Sequence, residues 1–98
     1  MDSRKPKKPV SVPEIIGDNL ARHRLAKGLS QETVAHRSGK HRSEISLLEL
    51  GKRMPRVDTV ARVAGAIGIT MAQALEGVSW AYFLDRPGGY FEPPETDD

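Results

Sequence analysis

Arg42, Ser43, Glu44 and Ser46 stand within five residues of one another in HRSEISLLELG, with the apolar Ile45 and Leu48 set among and after them. Arginine carries a planar fork of donors, serine a hydroxyl that both donates and accepts, and glutamate an acceptor. Such a set suits a flat edge lined with donors and acceptors. A guanidinium grips two neighbouring acceptors, as on guanine O6 and N7, and discriminates by roughly 1–3 kcal/mol. Just downstream, GKRMPR gathers Lys52, Arg53 and Arg56 around Pro55. Cations clustered in a loop suit a phosphate backbone, which carries no sequence information. Other chemistries lack their residues. Cysteine is absent, which excludes disulfides, thiol nucleophiles and thiolate metal sites. His23, His36 and His41 fall in no HExxH or similar spacing, and no paired-carboxylate or Ser/His/Asp arrangement is legible. No catalysis, metal or cofactor is expected.

The polar set needs a scaffold that presents it. Ile45 and Leu48 at i, i+3 place apolar groups on one face of a short helix, about 42–50, and leave Arg42, Ser43, Glu44 and Ser46 on the other. Gly51 stops this helix and Pro55 prevents its return. Before it, Ser30 caps a second short helix with Gln31 and Glu32 in the first turn. Val34 and Ala35 face inward there, and Gly39 ends it. Helix, glycine turn, helix is the helix-turn-helix arrangement. Its second helix is one major groove wide. Ala35 is small enough to let the two helices approach.

Three further helices complete the pattern. Ser11, Pro13 and Glu14 open one over about 13–27, with Ile16, Leu20 and Leu25 as its apolar face and Gly28 as its stop. Val57, Val60, Ala64 and Ile67 define another over 57–67, ended by Gly68. Thr70 and Gln73 form a capping box for a short helix reaching about Glu76. After Gly77 the composition changes. Trp80, Tyr82, Phe83, Tyr90 and Phe91 are all the aromatics of the chain, and WAYFL and GYFE flank DRPG, which has turn chemistry. A short hairpin or an extended clamp fits. Its aromatics carry more apolar surface than a solvated tail keeps. They pack either on the monomer as a lid over helices 1 and 5, or across a two-fold axis, and the second is favoured.

Charge is uneven along the 98 residues. Residues 1–12 hold four cations against Asp2, residues 13–84 hold ten Lys/Arg against seven Asp/Glu, and residues 85–98 hold Arg86 against five acids. A basic body precedes an acidic end. That suits a polyanion partner, and ordinary surface charge accounts for it equally. Length predicts one domain. No apolar run reaches the ~18 residues of a membrane span, and no h-region follows the basic N-terminus, so a cytoplasmic protein without membrane contact is expected.

RHRLAKGLSQETVAHRSGKHRSEISLLELGKRMPRVDTVARVAGAIGITMAQAL resembles the phage-repressor type of helix-turn-helix domain, the Cro and lambda-repressor, or XRE, family. The likeness spans about residues 14–77 and rests on GLSQ, Ala35, Gly39, Ile45-Ser46, Glu49, Gly51, Pro55, Asp58-Thr59 and the GIT helix start. It implies a docking mode with the second helix in the major groove. It implies that Arg42 and Ser43 read bases, with Ser46 on the same face. Leu47 falls where the family often reads a base, against a thymine methyl, and a place in the core is equally open to it. Gln31 is implied as a phosphate contact, and Lys52, Arg53 and Arg56 as backbone contacts, with Arg56 near the minor groove. Arg24 and Glu49 match a structural ion pair between helices 1 and 3. Two positions depart from the family. Lys40 stands where it has an apolar residue and His41 where it has Ser or Thr. Histidine is a poor N-cap, so the helix start is expected to loosen, or Ser43 to cap a shorter helix, with Lys40 and His41 turned to phosphate. Glu44 suits a helix N-terminus.

The expectation is an all-α, compact five-helix bundle of lambda-repressor-like type with an aromatic extension. Residues 1–10 are a disordered basic arm, 11–77 the DNA-binding domain, 78–92 the aromatic dimer contact or lid, and 93–98 an acidic disordered tail. The expected function is a sequence-specific transcriptional regulator, a homodimer on a two-fold symmetric operator in double-stranded DNA. The rival is an antitoxin-like module with a protein partner that also represses its own operon.

Overall fold

A computed structural model describes residues 11–94. The arm over 1–10 and the end of the acidic tail lie outside the described residues. Five helices come first: α1 (Val12–Ala26), α2 (Gln31–Ser38), α3 (Arg42–Leu50), α4 (Val57–Ile67) and α5 (Met71–Ala74). A two-stranded antiparallel ribbon follows, β1 (Ser79–Tyr82) and β2 (Gly89–Glu92). No helix among these is long and apolar enough to cross a membrane.

Local chemistry sets most boundaries. The Ser11 hydroxyl accepts from the Glu14 N–H, the Ser30 hydroxyl from Thr33, and the Thr70 hydroxyl from Gln73, each holding an N–H that helix geometry leaves orphaned. The helical core is closed by Leu20, Val34, Ile45 and Val63, which are essentially inaccessible, with Ile16, Val60, Ile67 and Ala74 around them. Two apolar positions expected in this core are outside it. Leu25 is 65 % exposed and Val57 is 76 % exposed. Both sit at helix ends, where the neighbouring helices no longer cover the stripe. Val12 and Ile15, at the opposite end of α1, are buried instead. Helix α5 is shorter than expected and gives way at Leu75 to a turn.

That turn is held by a buried polar residue. Asn19 Nδ2 donates to the carbonyls of Ala74 at 2.9 Å and Glu76 at 2.8 Å, so α1 binds the open C-terminal end of α5. Helices α1 and α3 approach more closely than any side chain would permit. An added Cβ at Gly17 would meet the carbonyl oxygens of Leu48 and Glu49, the latter at 2.7 Å. The aromatic segment does not cover the helices. Trp80, Tyr82, Tyr90 and Phe91 are all half or more exposed, and the strands pack chiefly on each other. Ile69, Met71, Ala74 and Val78 close that end of the core.

Candidate nucleic-acid interface

The turn between α2 and α3 is built on Gly39, whose φ of 73° is left-handed. Its N–H donates to His36 O, and the Lys40 N–H donates to Ala35 O at 2.9 Å, closing the α2 C-terminus. Ala35 is buried in the angle between the two helices.

His41 corrects an expectation. It caps α3 fully, in extended conformation, with Nδ1 accepting from the Ser43 N–H at 3.2 Å. The Glu44 carboxylate accepts from the His41 N–H at 2.7 Å, completing a reciprocal cap. An imidazole nitrogen thus does the work of a serine hydroxyl, and α3 begins at Arg42 without loosening. Ser43 is not the cap. Its hydroxyl lies 2.9 Å from His41 Nδ1, which holds it beside the turn. Glu44 is committed to the helix N-terminus.

The ion pair sits beneath this surface. Arg24 Nε donates to Glu49 Oε2 at 2.6 Å and Nη2 to Oε1 at 3.0 Å, a bidentate pair whose side chains are 11 % and 8 % exposed. Arg24 Nη1 also donates to Leu29 O at 2.8 Å. The Glu49 hydrogen bond raises the Arg24 pKa above its ordinary value, against the opposing pull of burial. Gln31 Nε2 donates to Glu49 Oε1 at 2.9 Å. One amide hydrogen of Gln31 is therefore turned inward and the rest of its amide is left for another contact.

The cations divide into two sets that the bare sequence does not distinguish. Lys27 Nζ donates to Gly68 O at 2.9 Å and Arg37 Nη1 to Ala66 O at 3.1 Å, so both cap the end of α4. Arg22 donates to Asn19 and Arg24 is paired. Arg56 meets Asp58 at 3.3 Å in the open, a weak surface pair. Lys40, Arg42, Lys52 and Arg53, which surround α3 and the loop after it, have no such partner among the described residues, and neither has Arg62 on α4. Lys40 and Arg53 also rim one open cleft of about 140 Å³, walled by Leu47, Met54 and Pro55. Leu47 is 46 % exposed, so it is not a core residue. Ser46 is half-buried on the same helix. The aromatics Trp80, Tyr82, Phe83, Tyr90 and Phe91 lie apart from this face on the ribbon.

A helix-turn-helix family profile matches residues 20–73, more than half of the chain. The chain belongs to the XRE-type helix-turn-helix family. It is a transcriptional regulator of that type, in a family that binds DNA and is not a class of enzymes. An uncharacterised HTH-type transcriptional regulator of Sinorhizobium fredii is 44% identical over 57 residues, 58% of this chain and 74% of that one. Among solved structures, the restriction-modification controller protein C.AhdI of Aeromonas hydrophila is 35% identical with a TM-score of 0.60, covering 63% of this chain and 94% of that one. The clp gene regulator ClgR of Corynebacterium glutamicum is 28% identical with a TM-score of 0.65, covering 72% and 90%. The matched residues include α2, the Gly39 turn and α3. The ribbon lies beyond the matched residues.

Proposed function

We propose that this regulator is a sequence-specific, cytoplasmic homodimer on a two-fold symmetric operator, with α3 in the major groove. Residues 11–77 form the DNA-binding unit, and the ribbon over 78–92 supplies the contact between copies. Arg42 and Leu47 read bases, with Ser43 and Ser46 beside them, while Lys40, His41, Lys52, Arg53, Arg56 and Gln31 hold phosphates. The observation that carries this reading is the segregation of cations. Arg22, Arg24, Lys27 and Arg37 cap helices or pair, and of the five without partners among the described residues four gather at α3 and its flanking loops, the fifth being Arg62 on α4. Two recognition helices held ~34 Å apart would meet successive turns of DNA. The acidic end keeps away from the duplex by repulsion.

The test compares operator, obtained by selection from random duplex, with unrelated duplex at fixed salt. Arg42→Ala is expected to weaken operator binding by about 1–3 kcal/mol and unrelated duplex much less. Arg53→Ala is expected to weaken both about equally, because phosphates carry no sequence. Equal losses for Arg42→Ala on both DNAs would remove its reading role. Arg53 is a cleaner phosphate control than Gln31, whose loss also takes a donor from Glu49. Deleting residues 1–10, which hold four cations, is expected to flatten the salt dependence of binding, by about 0.9 in log–log slope for each phosphate that the arm neutralises. An unchanged slope would dissociate the arm from DNA.

A further inference from the structure

The sheet has two strands among the described residues, so both of its edges lack a strand neighbour. Ser79 stands opposite Glu92, Trp80 opposite Phe91, Ala81 opposite Tyr90 and Tyr82 opposite Gly89. The Phe83 N–H donates to Gly88 O at 2.9 Å, continuing the same register. Bonding direction alternates along an antiparallel strand. Ser79, Ala81 and Phe83 therefore aim their backbone groups at β2, and Trp80 and Tyr82 aim theirs outward. On β2, Gly89 and Phe91 are the outward residues. A two-stranded ribbon is marginally stable in water by itself, and open edges are normally guarded by charge or proline. The two edges differ in this respect. Strand β2 carries the Glu92 carboxylate, and its next outward position is Pro93, which has no N–H. Strand β1, Ser-Trp-Ala-Tyr, has neither charge nor proline.

We propose that β1 is the pairing edge for a second copy of this chain, antiparallel and centred on Ala81, joining two ribbons into one four-stranded sheet. This rests on the two-fold dimer proposed above and gives it a specific contact. An axis beside Ala81 sets Trp80 opposite the second copy's Tyr82, and Tyr82 opposite the second copy's Trp80. These are the residues whose N–H and C=O groups point outward, so each pair exchanges two hydrogen bonds. Side chains alternate between faces, which puts Trp80, Tyr82 and Phe91 together. Trp80 and Phe91 already meet edge to face, with ring centroids 4.9 Å apart. The second copy's Tyr82 extends that row on the uncovered side of Trp80, and its Gly89 ends the row without a side chain. Trp80 and Tyr82 are 51 % and 71 % exposed, which is the surface this pairing covers.

The opposite face is complementary in size and charge. Ala81 meets its own copy across the axis, the smallest side chain of the strand at the tightest position. Ser79 falls opposite the second copy's Phe83, whose ring carries the Arg86 guanidinium at 3.9 Å. Glu92 stands in the same row and on the same face, so at both ends of the sheet a carboxylate of one copy approaches a guanidinium of the other, which also pairs with its own Asp85 at 3.1 Å. With the axis at Ala81 both Trp80 and Tyr82 face an aromatic of the second copy, whereas an axis at Trp80 would set Tyr82 against Val78 and an axis at Tyr82 would set Trp80 against Leu84.

The chain has no cysteine, so single-cysteine variants of the full chain report alone. Directly opposed residues that do not exchange hydrogen bonds lie about 4.5 Å apart at Cα, within the range that a disulfide spans. Ala81→Cys, Trp80→Cys, Tyr82→Cys and Tyr90→Cys are oxidised mildly without DNA and read by non-reducing electrophoresis. Ala81→Cys is expected to double in mass while the other three stay single. Tyr82→Pro, which removes an outward N–H and no bond within the ribbon, is expected to sediment at half the mass of the parent. Cross-linking first at Tyr90→Cys would move the contact to β2, and cross-linking first at Trp80→Cys or Tyr82→Cys would move the axis. No cross-link at any position would remove the pairing, whether or not the parent dimerises. Duplex binding is read separately. A monomer that binds operator keeps the DNA reading and removes the pairing, and an Ala81→Cys dimer that binds no duplex does the reverse.

Discussion

Arg24→Ala is expected to destabilise the fold by about 3–5 kcal/mol, the loss typical of stranding one partner of a buried ion pair. Glu49 would keep its charge in a site 8 % exposed, with only the Gln31 amide at 2.9 Å as a donor from those now around it. The Leu29 carbonyl would lose its donor as well. A domain of this size has about 5–15 kcal/mol in total, and each kcal/mol moves Tm by roughly 4–8 °C. The variant should therefore melt tens of degrees below the parent, or fail to fold at all. Arg24→Lys should recover little, since an ammonium cannot make the bidentate contact. Replacing both partners, Arg24→Met with Glu49→Leu, should lose much less than Arg24→Ala alone, because no charge is left unpaired. Urea titration with circular dichroism measures all three. A loss under about 1 kcal/mol for Arg24→Ala would place the pair with solvent-screened surface bridges.

Gly17→Ala and Gly65→Ala are expected to change stability in opposite directions. Both glycines lie inside helices, α1 and α4. Alanine is favoured over glycine by about 1 kcal/mol in an open helix interior. A Cβ at Gly65 has nothing within 4 Å, so Gly65→Ala should gain close to that amount. A Cβ at Gly17 meets backbone oxygens of Leu48 and Glu49, which cannot rotate away as a side chain does. Helix α1 must then shift from α3, at a net loss of about 1–3 kcal/mol or more. The shift also strains the Arg24–Glu49 pair that joins the same two helices, so its effect should not add simply to that of Arg24→Ala. Thermal melts of the two variants under one buffer decide the matter. A stabilised Gly17→Ala protein would show that the helices can separate at no cost.

The helix boundaries were legible because their causes are local. Caps at Ser11, Ser30 and Thr70, left-handed glycines at 39, 51 and 68, and apolar spacing within α3 and α4 act over three or four residues. The same local reasoning failed at His41. Residue preferences average over many sites, and here one imidazole happens to reach the Ser43 N–H while Glu44 reaches back. It failed also at Leu25 and Val57, because spacing says which face a side chain shares and not whether another helix lies over it.

The XRE resemblance placed the helix-turn-helix and matched Arg24 with Glu49, and charge counting suggested a basic body. Which cations are left for a ligand was decided only by the fold. Lys27 finds Gly68 across 41 residues, Arg37 finds Ala66 across 29, and Asn19 finds Ala74 across 55. Gly17 is required because a distant helix crosses it, and the ribbon aromatics stay exposed while Ile69 and Ala74 are buried in the core. The sequence by itself therefore determined the helices, their order and the polar face of α3, all short-range consequences of backbone hydrogen bonding and periodicity. The tertiary structure alone decided which charges, apolar surfaces and strand edges remain free, since freedom depends on what chain-distant groups have already engaged.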